Sequence, residues 1–152
     1  WVDFCHAVGN GLAWMGSAIA NAAIFVWRWS TKVVKAAIAA VATSTAILKA
    51  QKKVEKRVKA AKKNVYRFFE IWFDDIGAPI LGKSLSRERA VVRAKCGLNS
   101  ITYFSSDARY VANRAGGAHA MWHQRHGGLG YFNHYHINKH RNSAHIYYII
   151  WG

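Results

Sequence analysis

The longest regular pattern in the sequence is helical and extends from Ser30 to about Phe73. This segment is rich in Ala and Lys, contains neither Gly nor Pro, and can be capped by Ser30 or Thr31. Apolar residues in its second half recur every three or four positions, which places an apolar stripe opposite the lysines. We therefore predict a long basic helix with one packed face. The stripe consists of Val54, Val58, Ala61, Val65, Phe68 or Phe69, and Trp72.

The helical pattern breaks at DDIGAPILGKS, residues 74–84, where two glycines and a proline lie close together. Such residues are typical of a connection between folding units. We therefore predict a boundary here, with a helical lead-in segment over residues 1–76 and a compact, basic, histidine-rich domain over residues 77–152.

Shorter elements follow this break. Residues 84–97 and 105–117 each have the pattern of a short helix that a serine begins and a glycine ends. The first of them is expected to take Ser84 or Ser86 as its N-cap. SITYF, residues 100–104, lies between the two helices and predicts a short strand.

The end of the chain alternates between polar and apolar residues. YFNHYHI and AHIYYIIW read as strands, and NKHRNS between them has the composition of a turn, so we predict an antiparallel β-hairpin over residues 131–151. Because side chains alternate along a strand, one face of the hairpin should carry His134, His136, His145 and Tyr147. The helices and this hairpin, or a small sheet built on it, make the predicted fold class α+β.

A further helix is predicted for AHAMWHQRH, residues 118–126, which lies between two Gly pairs. On a helix, His119, His123 and His126 would stand at positions i, i+4 and i+7 of one face. Three imidazoles in that arrangement can bind zinc, nickel or copper.

The net charge of the chain indicates which kinds of binding partner to expect. The 152-residue chain has a net charge of +15 and an apolar fraction of 52%, so it is a folded protein with a strongly positive surface. Residues 32–70 hold eleven Lys and Arg against two acids, and residues 108–152 hold no acid. We expect nucleic acid or an anionic membrane as the partner. A solvated helix face remains the plain interpretation of the lysines.

Residues 7–27 carry no charge and are long enough to cross a bilayer, but several Gly, Ser and Asn dilute their apolar content. A buried helix or a segment that contacts a membrane transiently is the expectation.

The chain starts at Trp1 without Met or a charged leader, which favours a module of a longer polypeptide. Cys5 and Cys96 lie far apart and show no motif spacing, so no disulfide framework is indicated.

Seven of the eight histidines lie within residues 119–145, and that stretch contains no Asp or Glu. A Mg²⁺ site requires oxygen ligands, so a Mg²⁺-dependent nuclease is disfavoured. Metal-free cleavage of RNA needs one imidazole as a base, one as an acid and a cation for the phosphate. We therefore predict a site without a cofactor. Its catalytic candidates are His134, His136, His145 and Tyr147, and its phosphate-binding candidates are Lys139, Arg141, His140 and Arg125.

Three alternatives stay open at this point. Zinc held by His119, His123 and His126 would give a metal-dependent site. Alternatively, the aromatic, His-rich hairpin would stack bases without chemistry, as a nucleic-acid-binding module does. A membrane-active protein, with the segment 7–27 inserted and the lysines on anionic headgroups, is a hypothesis of another class.

The tail YFNHYHINKHRNSAHIYYIIWG, with HYH followed by AHIYY, resembles the C-terminal toxin domain of bacterial polymorphic toxins of the Rhs, contact-dependent inhibition or LXG type. The likeness covers residues 85–152. It implies a secreted nuclease, most often a ribonuclease that attacks tRNA or rRNA in the cytoplasm of a target cell and is neutralised by an acidic immunity protein. The long helix of residues 32–70 departs from compact toxin nucleases and is expected to belong to a pretoxin or translocation segment.

Overall fold

The computed structural model describes residues 32–116, 121–123, 132–137 and 142–152. These residues form three helices and six strands, so the α+β class is confirmed. In chain order the elements are α1 (Lys32–Ala60), β1 (Phe68–Phe73), β2 (Pro79–Leu85), α2 (Arg87–Lys95), β3 (Ser100–Phe104), α3 (Ser105–Gly116), β4 (Met121–His123), β5 (His134–His136) and β6 (His145–Ile150).

All six strands belong to one sheet, whose order is β2-β1-β3-β6-β5-β4. β3 and β6 run parallel, and the other neighbours are antiparallel. The predicted C-terminal hairpin is present as the pair β5–β6, but β6 also pairs with β3. The hairpin is therefore built into a larger sheet rather than standing alone.

The long basic helix is confirmed, although it ends at Ala60. Its apolar stripe is correct as far as Ala61, because Val54, Val58 and Ala61 are buried. Beyond that point the helical prediction is wrong. FFEIWF, residues 68–73, forms strand β1, since a run of aromatic and β-branched residues packs well on a pleated sheet that is covered on both faces.

The break is a tight turn at Gly77 that joins β1 to β2 as a β-hairpin, whereas Gly82 lies inside β2. The side chain of Asp74 accepts hydrogen bonds from the backbone N–H groups of Ile76 and Ala78, and Gly77 has a φ of 86°. Pro79 begins β2, which is an edge strand and tolerates a missing N–H. The boundary drawn between residues 76 and 77 thus falls in a turn that joins two paired strands.

Helices α2 and α3 form as the sequence predicts. The Ser86 side chain caps α2 by accepting from the N–H of Arg89, and Gly97 follows the helix with a φ of 79°. Cys96, next to that glycine, is disulfide-bonded, and the other cysteine of the chain, Cys5, lies outside the described residues.

Two hydrophobic cores lie on opposite faces of the sheet, because neighbouring strand residues alternate between them. Phe68 and Tyr148 pack in the core formed with α2 and α3. Phe69 and Tyr147 pack in the core formed with α1. The chain thus folds as three layers, in which α1 covers one face and the two short helices cover the other.

One predicted helix is wrong. Residues 121–123, which the sequence pattern placed in a helix with three aligned histidines, form strand β4 and pair with β5, Met121 with His136 and His123 with His134. Strand β5 would otherwise expose its N–H and C=O groups at a sheet edge. His119 and His126 lie outside the described residues.

Candidate active site

Three histidines of the C-terminal hairpin form a cluster on the face of the sheet that carries Tyr147. His134 and His136 lie two positions apart on β5, and His145 of β6 is directly opposite His136. The ring centroids are 4.9 Å apart for His134 and His136, 4.9 Å for His134 and His145, and 4.5 Å for His136 and His145. Strand alternation and register alone bring the three imidazoles together.

Tyr147 completes the group of candidates that the sequence pattern places on this hairpin. It lies opposite His134 on the ladder, with ring centroids 5.2 Å apart. It also stacks on His145 at 5.6 Å with an interplanar angle of 8°. The edges of Phe73 and Phe132 contact the Tyr147 ring, so its position is fixed by packing.

The proton on His134 can be assigned from its surroundings. Its Nδ1 lies 2.9 Å from the backbone carbonyl oxygen of Phe132. A carbonyl oxygen can only accept, so Nδ1 carries the proton. In the neutral ring, Nε2 is then the nitrogen with the lone pair.

His145 follows the same logic with a different acceptor. The Asn99 Oδ1 atom accepts from the backbone N–H of His145 at 2.8 Å and lies 3.3 Å from its Nδ1. Nδ1 of His145 is therefore the donor, and its Nε2 is the basic nitrogen. Two rings of the cluster thus present Nε2 as a base or a metal ligand.

The cluster borders a cleft of about 340 Å³. His134 and His136 are 2% and 7% exposed, whereas His145 is half-buried and faces the cleft together with Tyr147. No acidic residue is among the described residues that line it. The described residues that line the cleft are Ile71, Trp72, Phe73, Arg93, Gly97, Leu98, Asn99, Ser143, His145 and Tyr147.

Arg93 is the cation of the cleft, and its side chain is only 4% exposed. Its Nε donates to the backbone carbonyl of Asn99 at 2.6 Å, and its Nη1 donates to Glu70 at 3.0 Å. Burial lowers the pKa of Arg93, and the Glu70 carboxylate opposes that change. Asn99 therefore connects the guanidinium to His145, through its carbonyl on one side and its amide oxygen on the other.

Sequence reasoning missed Arg93 and Asn99. One signal was present for Arg93, which lies between Ala90 and Ala94 on the buried stripe of α2, where a charged residue is unexpected. Asn99 gives no such signal, because its partner His145 is 46 positions away.

The predicted phosphate-binding residues Lys139, His140, Arg141 and Arg125 lie outside the described residues. The α1 lysines from Lys49 to Lys59 are exposed, and Lys62 and Arg57 lie over the rings of Tyr103 and Phe69. These cations belong to the helix, and the turn after it, that cover the face of the sheet on which the histidine cluster lies.

No helix in the described part of the chain is long and apolar enough to cross a membrane. The uncharged segment 7–27 lies outside that part, so its membrane contact stays a prediction.

Comparison of the chain with protein-family models, curated proteins and solved structures finds no match.

Proposed function

We propose that the protein is a ribonuclease of the polymorphic-toxin type, which cleaves RNA by metal-independent histidine acid–base chemistry. The observation that carries this proposal is the cluster of His134, His136 and His145 with Tyr147, beside a cleft whose described lining contains Arg93 and no carboxylate. A base, a proton donor and a cation are the groups that this reaction requires.

His145 is the base in this scheme, because it is the imidazole that faces the cleft. Its Nε2 takes the proton of the ribose 2′-hydroxyl while Asn99 holds the other nitrogen protonated. The 2′-oxygen then attacks phosphorus, and the bond from phosphorus to the 5′-oxygen breaks. The products are a 2′,3′-cyclic phosphate and a 5′-hydroxyl.

The leaving 5′-oxygen takes its proton from Tyr147, which also lines the cleft. His134 contacts both His145 and Tyr147, so the proton that His145 took can pass through Nε2 of His134 and restore the tyrosine hydroxyl. His136 packs against the other two imidazoles and restricts their orientation. His145, Tyr147 and His134 thus carry the proton transfers of the reaction, and His136 positions the imidazoles.

The net charge of +15 supports RNA as the substrate, because a basic surface attracts a phosphate backbone. The exposed lysines of α1 would extend the contact beyond the cleft. A tRNA or rRNA target in the cytoplasm of another cell, secretion from a bacterium and an acidic immunity protein belong to the same proposal through the resemblance to polymorphic toxins.

Total RNA incubated with the purified chain in EDTA tests the proposal. We expect fragments at catalytic protein concentrations, and intact RNA when the identically purified His145→Ala variant replaces the wild type. Intact RNA at micromolar wild-type protein would contradict the proposal.

A zinc-dependent hydrolase is the second candidate. The ligand nitrogens of His134, His136 and His145 all lie within 4.8 Å of one another. Three imidazoles with an open fourth position are a ligand set of catalytic zinc. The residues differ from the set His119, His123 and His126 that the sequence suggested. Activity that EDTA abolishes and zinc restores would favour this candidate over metal-free chemistry.

A further inference from the structure

Two residues that line the cleft each hold a nitrogen donor that has no acceptor among the described residues. The donors are Nη2 of Arg93 and Nε1 of Trp72, and both atoms are buried. A buried donor that makes no hydrogen bond costs free energy, so native proteins pair almost all of them with protein, water or a ligand. Both donors belong to residues that line one cleft, so a ligand held in that cleft is the candidate for the missing acceptor.

The acceptors nearest to Arg93 are already engaged. The Asn99 carbonyl accepts from Nε of Arg93, and the Asn99 amide oxygen accepts from His145. Glu70 accepts from Nη1 of Arg93 through one oxygen and from the backbone N–H of Lys83 through the other. Neither these oxygens nor any other described acceptor bonds to Nη2 of Arg93 or Nε1 of Trp72, so their acceptor is sought in the rest of the chain, in water or in a ligand.

We propose that the cleft is an anion-binding subsite, in which Arg93 and Trp72 donate to oxygens of one phosphoryl group. A phosphodiester offers two non-bridging oxygens as acceptors and no donor, which matches two unpaired N–H groups. The planar guanidinium suits a phosphate in particular, since it can present parallel N–H bonds.

The position of the subsite agrees with the proposed reaction. His145 and Tyr147 line the same cleft as Arg93 and Trp72, so a phosphoryl group bound there would share the cleft with the groups that move protons. The inference rests on the proposed function in naming an RNA phosphodiester as the natural occupant. Anion binding itself does not depend on cleavage and can be measured without RNA.

The test uses the full 152-residue chain and inorganic phosphate at constant ionic strength, with chloride as the balancing anion. The indole N–H resonance of Trp72, assigned through Trp72→Phe, reports the site in ¹H–¹⁵N spectra. We expect a saturable shift of this resonance, and a loss of affinity of about tenfold or more in Arg93→Gln, because a charge-assisted hydrogen bond is removed. Arg89→Gln removes an exposed charge from the same helix and should change the affinity less than about twofold.

Glu70→Gln separates a binding effect from misfolding, because this variant is expected to bind phosphate more tightly, and a misfolded chain would not. The carboxylate of Glu70 shares the Arg93 guanidinium and repels an incoming anion, so its neutralisation should tighten phosphate binding several-fold in a chain that keeps its circular dichroism spectrum. Unchanged or weaker binding in folded Glu70→Gln would contradict the subsite, as would an unmoved Trp72 resonance in the wild type.

The inference and the proposed function can fail separately. Saturable phosphate binding at Trp72 together with intact RNA would support the anion-binding subsite and contradict the ribonuclease function. Cleavage of RNA together with equal phosphate affinity in wild type and folded Arg93→Gln would contradict the subsite and leave the ribonuclease function supported.

Discussion

His136 and His145 face each other across the antiparallel ladder of β5 and β6, with their ring centroids 4.5 Å apart. Strand register fixes this pair, and the same register places Tyr147 opposite His134. The candidate catalytic groups therefore stand on paired strands inside a sheet rather than on a loop. Such a support holds side chains in one geometry, which acid–base catalysis requires.

Replacing His145 should affect the rate far more than the stability. His145→Ala removes the proposed base, so cleavage should slow by about 10²–10⁴-fold. The residue is half-buried, and its loss should leave the melting temperature within a few degrees of the wild type. Initial rates on a short RNA and thermal unfolding give the two quantities. Ser106→Ala, at an exposed position of α3, is the control. Full activity of folded His145→Ala would mean that His145 is not the base.

Asn99 should act on the rate through His145 rather than on the substrate. Asn99→Ala removes the oxygen that holds Nδ1 of His145, and cleavage should slow by about tenfold or more. Asn99→Asp keeps an acceptor and adds a charge that stabilises the protonated imidazole. The acid limb of the rate–pH profile should then move to higher pH. Equal rate–pH profiles for Asn99→Asp and the wild type would show that Asn99 does not orient the base.

The alternation of the tail sufficed to predict strands β5 and β6 and the shared face of His134 and His136. Serine and glycine signals likewise predicted α2 and α3. The helical prediction for residues 68–73 is wrong because their apolar spacing fits a helix as well as a strand covered on both faces. The parallel pairing of β3 with β6 joins residues more than forty positions apart, and no local pattern encodes it. That pairing places Asn99, directly before β3, against His145, at the start of β6, and Asn99 in turn binds Arg93.

Helix α1 should be an integral part of the fold rather than a detachable lead-in. Val58 is 0% exposed in the core beneath the sheet, so Val58→Ala should lower the free energy of unfolding by about 2 kcal/mol. Val65→Ala is the matched control, since Val65 is 73% exposed and its truncation should have no measurable effect. Urea unfolding monitored by fluorescence measures both. Equal stability of the two variants would mean that α1 does not pack on the sheet.

The lysines of α1 should contribute to RNA affinity without taking part in chemistry. Lys52, Lys56 and Lys59 are exposed on the helix, and their joint replacement by Glu should weaken RNA binding. On single-stranded RNA, the slope of log affinity against log salt should become shallower by roughly 0.7 for each phosphate that the variant no longer neutralises. Cleavage of saturating RNA should be unchanged. An unaltered salt slope would mean that these lysines form a solvated face only.

The chemical nature of the product ends tests metal-free histidine chemistry most directly. A defined RNA is cleaved by the wild-type chain in excess EDTA, and the fragments are analysed by mass spectrometry. We expect fragments that end in a 2′,3′-cyclic phosphate and begin with a 5′-hydroxyl, because the 2′-oxygen is the nucleophile. Fragments that arise only after zinc is added, or that carry a 5′-phosphate, would contradict this account.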